Sequence, residues 1–195
     1  PRRPVRDRFP LSPYPIGWFR VAASAGLAPG EVRPLRYFGR DLVLFRTTSG
    51  EPRVLDATCP HLGAHLGIGG TVHGDTIVCP FHGWRYDGEG RCVHAPLASR
   101  TPVASTRSWP VRERMGQLML WHHPDRTEPT WELPPFPEHD NPEWRPFEVA
   151  QHWVLHTHCQ ELPENAMDIA HFPWIHHQNT AAMATESFSL SRMNH

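Results

Sequence analysis

The sequence predicts a mainly β chain, a small antiparallel sandwich followed by a second, smaller unit that mixes a strand with a helix. Three observations carry this. Short β-like runs broken by glycine turns fill the first two thirds of the chain. A proline-rich stretch over residues 124–146 then interrupts the pattern. After it come a candidate strand and a helix-type segment opened by Pro163.

Residues 1–15 are rich in Arg and Pro with no periodicity and read as an N-terminal arm. Gly17–Ala22 opens the strands. Arg33–Phe38, Asp41–Thr47 and Arg53–Ala57 follow, separated by turn signals at Gly39-Arg40 and Ser49-Gly50. Thr76–Val78 and Gly83–Tyr86 flank a loop. Asp87-Gly88-Glu89-Gly90 turns the chain into Arg91–His94, and Val111–Arg114 with Gln117–Trp121 forms a last hairpin across Met115-Gly116. Seven prolines over 124–146 suggest a stiff linker or an extended surface segment, with Trp131 and Trp144 packing against a neighbouring domain. From Phe147, residues 148–158 read as a strand with Val149, Gln151, Trp153, Leu155 and Thr157 on one face and His152, His156 and His158 on the other.

Composition excludes little but is useful. The formal charge of −1 gives no general pull toward nucleic acid or an anionic membrane. No run of about eighteen apolar residues is present to span a bilayer. The chain starts at Pro1 without Met, so residues upstream are expected to be missing and a targeting or anchor segment is left open. Four cysteines are present; two belong to the motifs below, and Cys92 and Cys159 read as free thiols of a reducing, cytoplasmic compartment.

Two loops carry the chemistry. Cys59-Pro60-His61 is followed two residues on by Gly63, and Cys79-Pro80-Phe81-His82 is followed at once by Gly83. Cys₂His₂ is also a zinc set, but zinc fingers pair Cys with Cys and His with His along the chain. Here each loop holds one of each. That is the need of a Rieske [2Fe–2S] centre, in which one iron takes two thiolates and the other two imidazoles. The imidazoles lift the potential from about −400 mV to about −150 to +300 mV.

The stretches Cys59-Pro60-His61-Leu62-Gly63-Ala64-His65-Leu66 and Cys79-Pro80-Phe81-His82-Gly83-Trp84-Arg85-Tyr86 resemble the Rieske domain of ring-hydroxylating, non-heme iron oxygenases. The resemblance covers roughly residues 15–122. Against high-potential respiratory Rieske proteins, Ala64 and Phe81 stand where a disulfide would form, and Trp84 stands where a hydrogen-bonding Ser would be. Fewer hydrogen bonds to the sulfurs imply a potential near the low end of the range.

The second constellation is Glu164 through His176. Asn165, Asp168 and His171 fall i, i+3, i+6 on one helical ridge. His176 lies about 140° round a regular helix from His171, and Pro173 between them is expected to kink the helix and bring the rings together. On spacing alone this is equally a capped helix followed by a kink with surface histidines. Behind a Rieske-type domain it resembles the Glu/Asn-x-x-Asp-x-x-His-x₄-His pattern of the oxygenase catalytic domain. The resemblance makes His171 and His176 ligands of a mononuclear Fe(II), with His177 as the fallback, and Asp168 the acid linking a cluster His to an iron-ligating His across a subunit boundary. The family's third ligand is an Asp far downstream. Glu186 is the only acid after His176 and lies too near, so the chain is expected to be truncated within that domain.

The resemblance thus implies a mainly β Rieske domain over 16–123, a linker over 124–146, and the incomplete start of an α+β catalytic domain over 147–195. It implies a terminal oxygenase component with a [2Fe–2S] cluster, mononuclear Fe(II) and O₂ as co-substrate. Electrons would come from NAD(P)H through a separate reductase, with or without a ferredoxin, and the assembly would be a homotrimer or a multiple of three. The loop sequences lie nearest the sterol and ketosteroid branch, which implies a hydrophobic, steroid-like substrate that is hydroxylated or desaturated. The alternative is a Rieske ferredoxin, an electron carrier needing only the first domain.

Overall fold

The computed structural model describes residues 12–144 and 154–177. The chain divides into two compact units, Pro1–Phe147 and Glu148–His195.

Among the described residues the first unit has eleven antiparallel strands in three sheets. One sheet has the order β1 (Gly17–Ala23), β11 (Gln117–His122), β10 (Val111–Arg114). The second runs β2 (Val32–Tyr37), β3 (Arg40–Arg46), β4 (Pro52–Asp56), β9 (Ser108–Trp109). The third runs β5 (Thr71–His73), β6 (Thr76–Val78), β7 (Arg85–Tyr86), β8 (Cys92–His94). The antiparallel strands expected from the sequence are all there, with ends shifted by a residue or two. The short strands β5 and β9 and the three-sheet arrangement are additions.

β3 explains the layering. Leu42, Val43, Leu44 and Phe45 are all fully buried, because both faces of this strand are covered. Side chains alternate along a strand, so Leu42 and Leu44 join one core with Val54, Trp109, Leu118 and Leu120. Val43 and Phe45 join the other with Leu55, Ile77, Tyr86 and both motif cysteines, Cys59 and Cys79. The second sheet is therefore a shared middle wall. Each fully buried aliphatic side chain in it contributes about 1.5–3 kcal/mol of apolar transfer.

Two tight turns set registers. Tyr37 pairs with Arg40 across Phe38-Gly39, and both turn residues have positive φ (53° and 69°), as a type I′ hairpin demands. The expected turn was one residue later. Met115 (φ 51°) and Gly116 (φ 67°) form the same turn between β10 and β11, where the sequence places it.

The proline-rich stretch is fixed to the first sheet over its early part. Trp18 Nε1 donates to the Trp131 carbonyl at 3.0 Å, Trp121 Nε1 donates to the Thr127 carbonyl at 3.0 Å, and Arg112 pairs with Glu132 at 2.9 Å. Trp131 packs edge-on against Trp121, so its neighbour belongs to the same unit. A 3-10 turn spans Pro137–Asp140.

In the second unit the expected strand is not found among the described residues 154–158, where Val154 and Leu155 are exposed. Val149, Gln151, His152 and Trp153 lie outside the described residues. Helix α1 spans Glu161–Met167 with Pro163 in its first turn, where a missing N–H costs nothing. A 3-10 turn at Ile169–His171 and a single helical turn α2 (Phe172–Ile175) follow. Among the described residues no helix is long and apolar enough to cross a membrane.

Candidate metal centres

The two motif loops are copies of one turn. In the first, the Cys59 N–H donates to the Ala64 carbonyl at 2.8 Å and the Gly63 N–H donates to the Cys59 carbonyl at 2.9 Å. In the second, Cys79 donates to Trp84 at 2.8 Å and Gly83 donates to Cys79 at 3.0 Å. Gly63 and Gly83 both sit at positive φ, 78° and 69°, which glycine alone adopts without strain. The second loop joins β6 to β7. The first follows β4 and is closed by a lone bridge between Thr58 and His65, so only one of the two loops tips a regular hairpin.

These turns deliver the four residues named from the sequence to one place. Cys59 and Cys79 are both 2 % exposed and face each other in the core beneath the loops. The His61 and His82 rings lie 4.7 Å apart between centroids. His61 Nδ1 is buried without a hydrogen-bond partner, and an imidazole nitrogen in that state wants a proton acceptor or a metal. Burial pushes the Cys79 thiol up, opposed by the N–H groups of Phe81 and His82. Two buried thiols side by side and an orphaned imidazole nitrogen fit a positively charged metal centre, which would draw off the thiol protons and fill the open nitrogen. Among the described residues no three His, Cys, Asp or Glu side chains converge on one point, as a zinc ion requires; the candidate ligands come as two pairs.

Two further residues shape this site. The Tyr86 hydroxyl lies 3.1 Å from Cys59 Sγ. Burial, then its bond to Cys59, raises its pKa, so it stays a donor. The sequence reading of few hydrogen bonds to the cluster sulfurs missed it. Tyr86 could have been found by alternation, because β7 must turn one of Arg85 and Tyr86 inward. The second is Trp84, whose ring stacks on His61 at 4.3 Å and 7°. Cys92 pairs with Tyr86 in β7–β8 and is buried, while Cys159 is exposed; all four cysteines are free thiols.

In the second unit His171 and His176 come together, with ring centroids 5.4 Å apart. The cause differs from the expected one. The helix breaks at Asp168 (φ −80°, ψ 82°), five residues before Pro173. Asp168 Oδ1 then accepts the Ala170 N–H at 3.1 Å and caps the next turn. Pro173 sits in the first turn of α2 and begins a helix there. Asn165, Asp168 and His171 are therefore not one continuous helical ridge. Asp168 Oδ2 nonetheless reaches His171 Nδ1 at 3.5 Å, and His171 Nε2 is buried without a partner. His176 and His177 are exposed, and His177 takes a positive φ of 53°. Glu186 lies outside the described residues.

Comparison with known proteins also finds two parts, but the second match begins inside β11, ahead of the boundary between the two compact units. Residues 17–110 match the model of the Rieske [2Fe-2S] domain, and residues 120–193 match that of the 3-ketosteroid 9alpha-hydroxylase C-terminal domain. A cholesterol 7-desaturase of Ciona intestinalis is 42% identical over 176 residues, 90% of this chain and 37% of the relative. A 3-ketosteroid-9-alpha-monooxygenase oxygenase component of Rhodococcus rhodochrous is 40% identical over 165 residues, 83% of this chain and 43% of the relative. Among solved structures, dicamba monooxygenase with non-heme iron and dicamba superposes with a TM-score of 0.56 at 30% identity, covering 67% of this chain and 40% of that one. The chain spans less than half the length of these relatives. A ferredoxin needs only the first of the two domains, and the second match sets that alternative aside.

Proposed function

Because the chain belongs to the Rieske oxygenases, with a ketosteroid 9α-hydroxylase-type domain behind its Rieske domain, we propose that it is part of a sterol- or ketosteroid-directed terminal oxygenase component. The observation that carries this is the sequence of two sites along one chain. Two matched loops present two buried thiols and two neighbouring imidazoles, and a His171–His176 pair with a carboxylate on His171 follows.

In this reading Cys59 and Cys79 hold one iron of a [2Fe–2S] cluster, and His61 and His82 the other. His171 and His176 hold two positions of a mononuclear Fe(II), and the third ligand lies beyond the described residues. When bound, the cluster passes on single electrons and the mononuclear iron activates O₂ for hydroxylation or desaturation of a hydrophobic substrate. The chain's own groups orient this chemistry. Asp168 turns the His171 ring by facing its Nδ1, which leaves the buried Nε2 as the atom for metal. With Cys59 held as a thiolate, Tyr86 is the donor across their 3.1 Å contact. Asp168 also links the two centres, accepting from a cluster imidazole of a neighbouring copy in a closed ring of three or a multiple of three. A separate reductase, with or without a ferredoxin, supplies electrons from NAD(P)H.

The test uses the full-length protein purified without oxygen. It should bind two cluster irons, two sulfides and one further iron per chain, and convert a sterol or a 3-ketosteroid when given reductase, NADH and O₂. A colourless protein holding one zinc rejects the cluster. A protein with the cluster but no third iron rejects the roles of His171 and His176.

A further inference from the structure

We propose that Trp84 is a positioning residue of the cluster site: its indole fixes the plane of His61 and makes the two imidazole ligands inequivalent. The inference rests on the Rieske reading of the four ligands. The His61 and Trp84 rings are parallel within 7° at a centroid distance of 4.3 Å. Trp84 is itself partly buried against the core that contains Cys59 and Cys79. The indole is therefore held from behind while it holds the imidazole in front.

Such a hold matters because the ring torsion of histidine is soft. It has broad preferences in place of three sharp wells. Something outside the side chain has to set the plane in which a ring nitrogen meets a metal. A hydrogen bond to the other nitrogen commonly does this. At His61 the buried, unpartnered Nδ1 is the atom open to metal, and the stacked indole covers one face of the ring. His82 meets the ring near its edge, at 68° and 4.7 Å.

His82 has a different setting. It is exposed, and its aromatic neighbour Phe81 is 62 % exposed and tilted 36° to it. A solvent-facing phenyl ring does not fix an imidazole as a core-anchored indole does. The two loops share one backbone turn, so the difference between the ligands comes from side chains, and Trp84 supplies most of it.

The experiment compares wild type, Trp84→Leu and Trp84→Phe in the full-length holoprotein. Leu keeps apolar volume without a ring; Phe restores a stacking face. Pulsed EPR of the reduced cluster reads the two ligand nitrogens separately, and a chelator challenge reads cluster loss. We expect Trp84→Leu to alter one of the two nitrogen couplings and to lose its cluster about two- to tenfold faster, the span of a single aromatic pair. Trp84→Phe should recover both readouts. A Trp84→Leu protein with both couplings and the loss rate of wild type overturns the inference. So does a Trp84→Phe protein as impaired as Trp84→Leu, since Trp84 would then be needed for packing alone. A wild-type protein with no pair of imidazole couplings overturns the Rieske reading itself and is told apart from these results at the first measurement.

Discussion

The hydroxyl of Tyr86 lies 3.1 Å from the sulfur of Cys59, with both residues closed off from water in the core between the second and third sheets. A donor aimed at a cluster thiolate favours the reduced state, because the added electron places more negative charge on sulfur. Tyr86→Phe removes the donor and leaves the ring packing. We expect the cluster potential to fall by about 30–60 mV, from a differential of about 1 kcal/mol for one hydrogen bond. A redox titration of the holoprotein checks it; an unchanged or higher potential contradicts the role.

Asp168 has two tasks that can be separated. Its Oδ1 caps the turn over Ala170, and its Oδ2 faces His171. Asp168→Asn keeps an oxygen for the cap and loses the charge. Both metals should remain bound and the melting point should move little, while electron transfer from cluster to mononuclear iron slows by about a hundredfold. A single-turnover experiment with a pre-reduced cluster, substrate and O₂ reads this directly. Reoxidation at the wild-type rate would leave Asp168 a capping residue only.

Cys92 and Cys159 differ in setting but not in expected cluster role. Cys159 is exposed, and Cys92 lies in the core next to Tyr86 in register. Replacing both by Ser should leave iron and sulfide content unchanged. The buried hydroxyl at position 92 should cost about 1–3 kcal/mol, seen as a lower melting point. Cys59→Ser or Cys79→Ser should instead lose the cluster.

His122 should make the first unit acid-sensitive. Its ring stacks on Phe38 at 4.2 Å, and Nδ1–H donates to the Pro15 carbonyl at 2.9 Å. Burial lowers its pKa; the Pro15 carbonyl opposes this, and the charges of Arg107 and His123 add to it. The folded state thus binds this proton less readily than the unfolded chain, whose His titrates near about 6.5. Stability from this group is complete above that pH and is lost as pH falls through about 6.5 and below. The melting point of wild type should drop from pH 7.5 to 5.5 more steeply than that of His122→Gln. Parallel slopes would remove His122 as the source.

Much of this was legible in the residues. The placing of Cys59, His61, Cys79 and His82 within their loops follows from local spacing, since each loop is a single hydrogen-bonded turn. The strands follow from alternation, and the Met115-Gly116 hairpin from its turn residues. What escaped was set by distant contacts. Ser108-Trp109 becomes a strand only because Val54-Leu55 offers it an edge. Tyr86 matters only because the fold brings it to a sulfur twenty-seven positions away. The helix break fell on Asp168 rather than Pro173 because proline suits a first turn as well as it spoils a middle one, and sequence alone does not say which turn it occupies.

The repeated loop turn also separates two kinds of spacing. Inside each loop, chain length is fixed: one residue more or less between Cys59 and Ala64, or between Cys79 and Trp84, breaks the paired hydrogen bonds that hold the sulfur and the ring in place. Between the loops the chain runs out and back through the β5–β6 hairpin across Gly74-Asp75, whose tip residues are exposed. A change of length there, in residue pairs, should disturb the contacts of the tip with Thr48 and Ser49 before it reaches either motif loop. Length variation in proteins built on this plan should therefore collect at Gly74-Asp75 and stay out of the two six-residue turns.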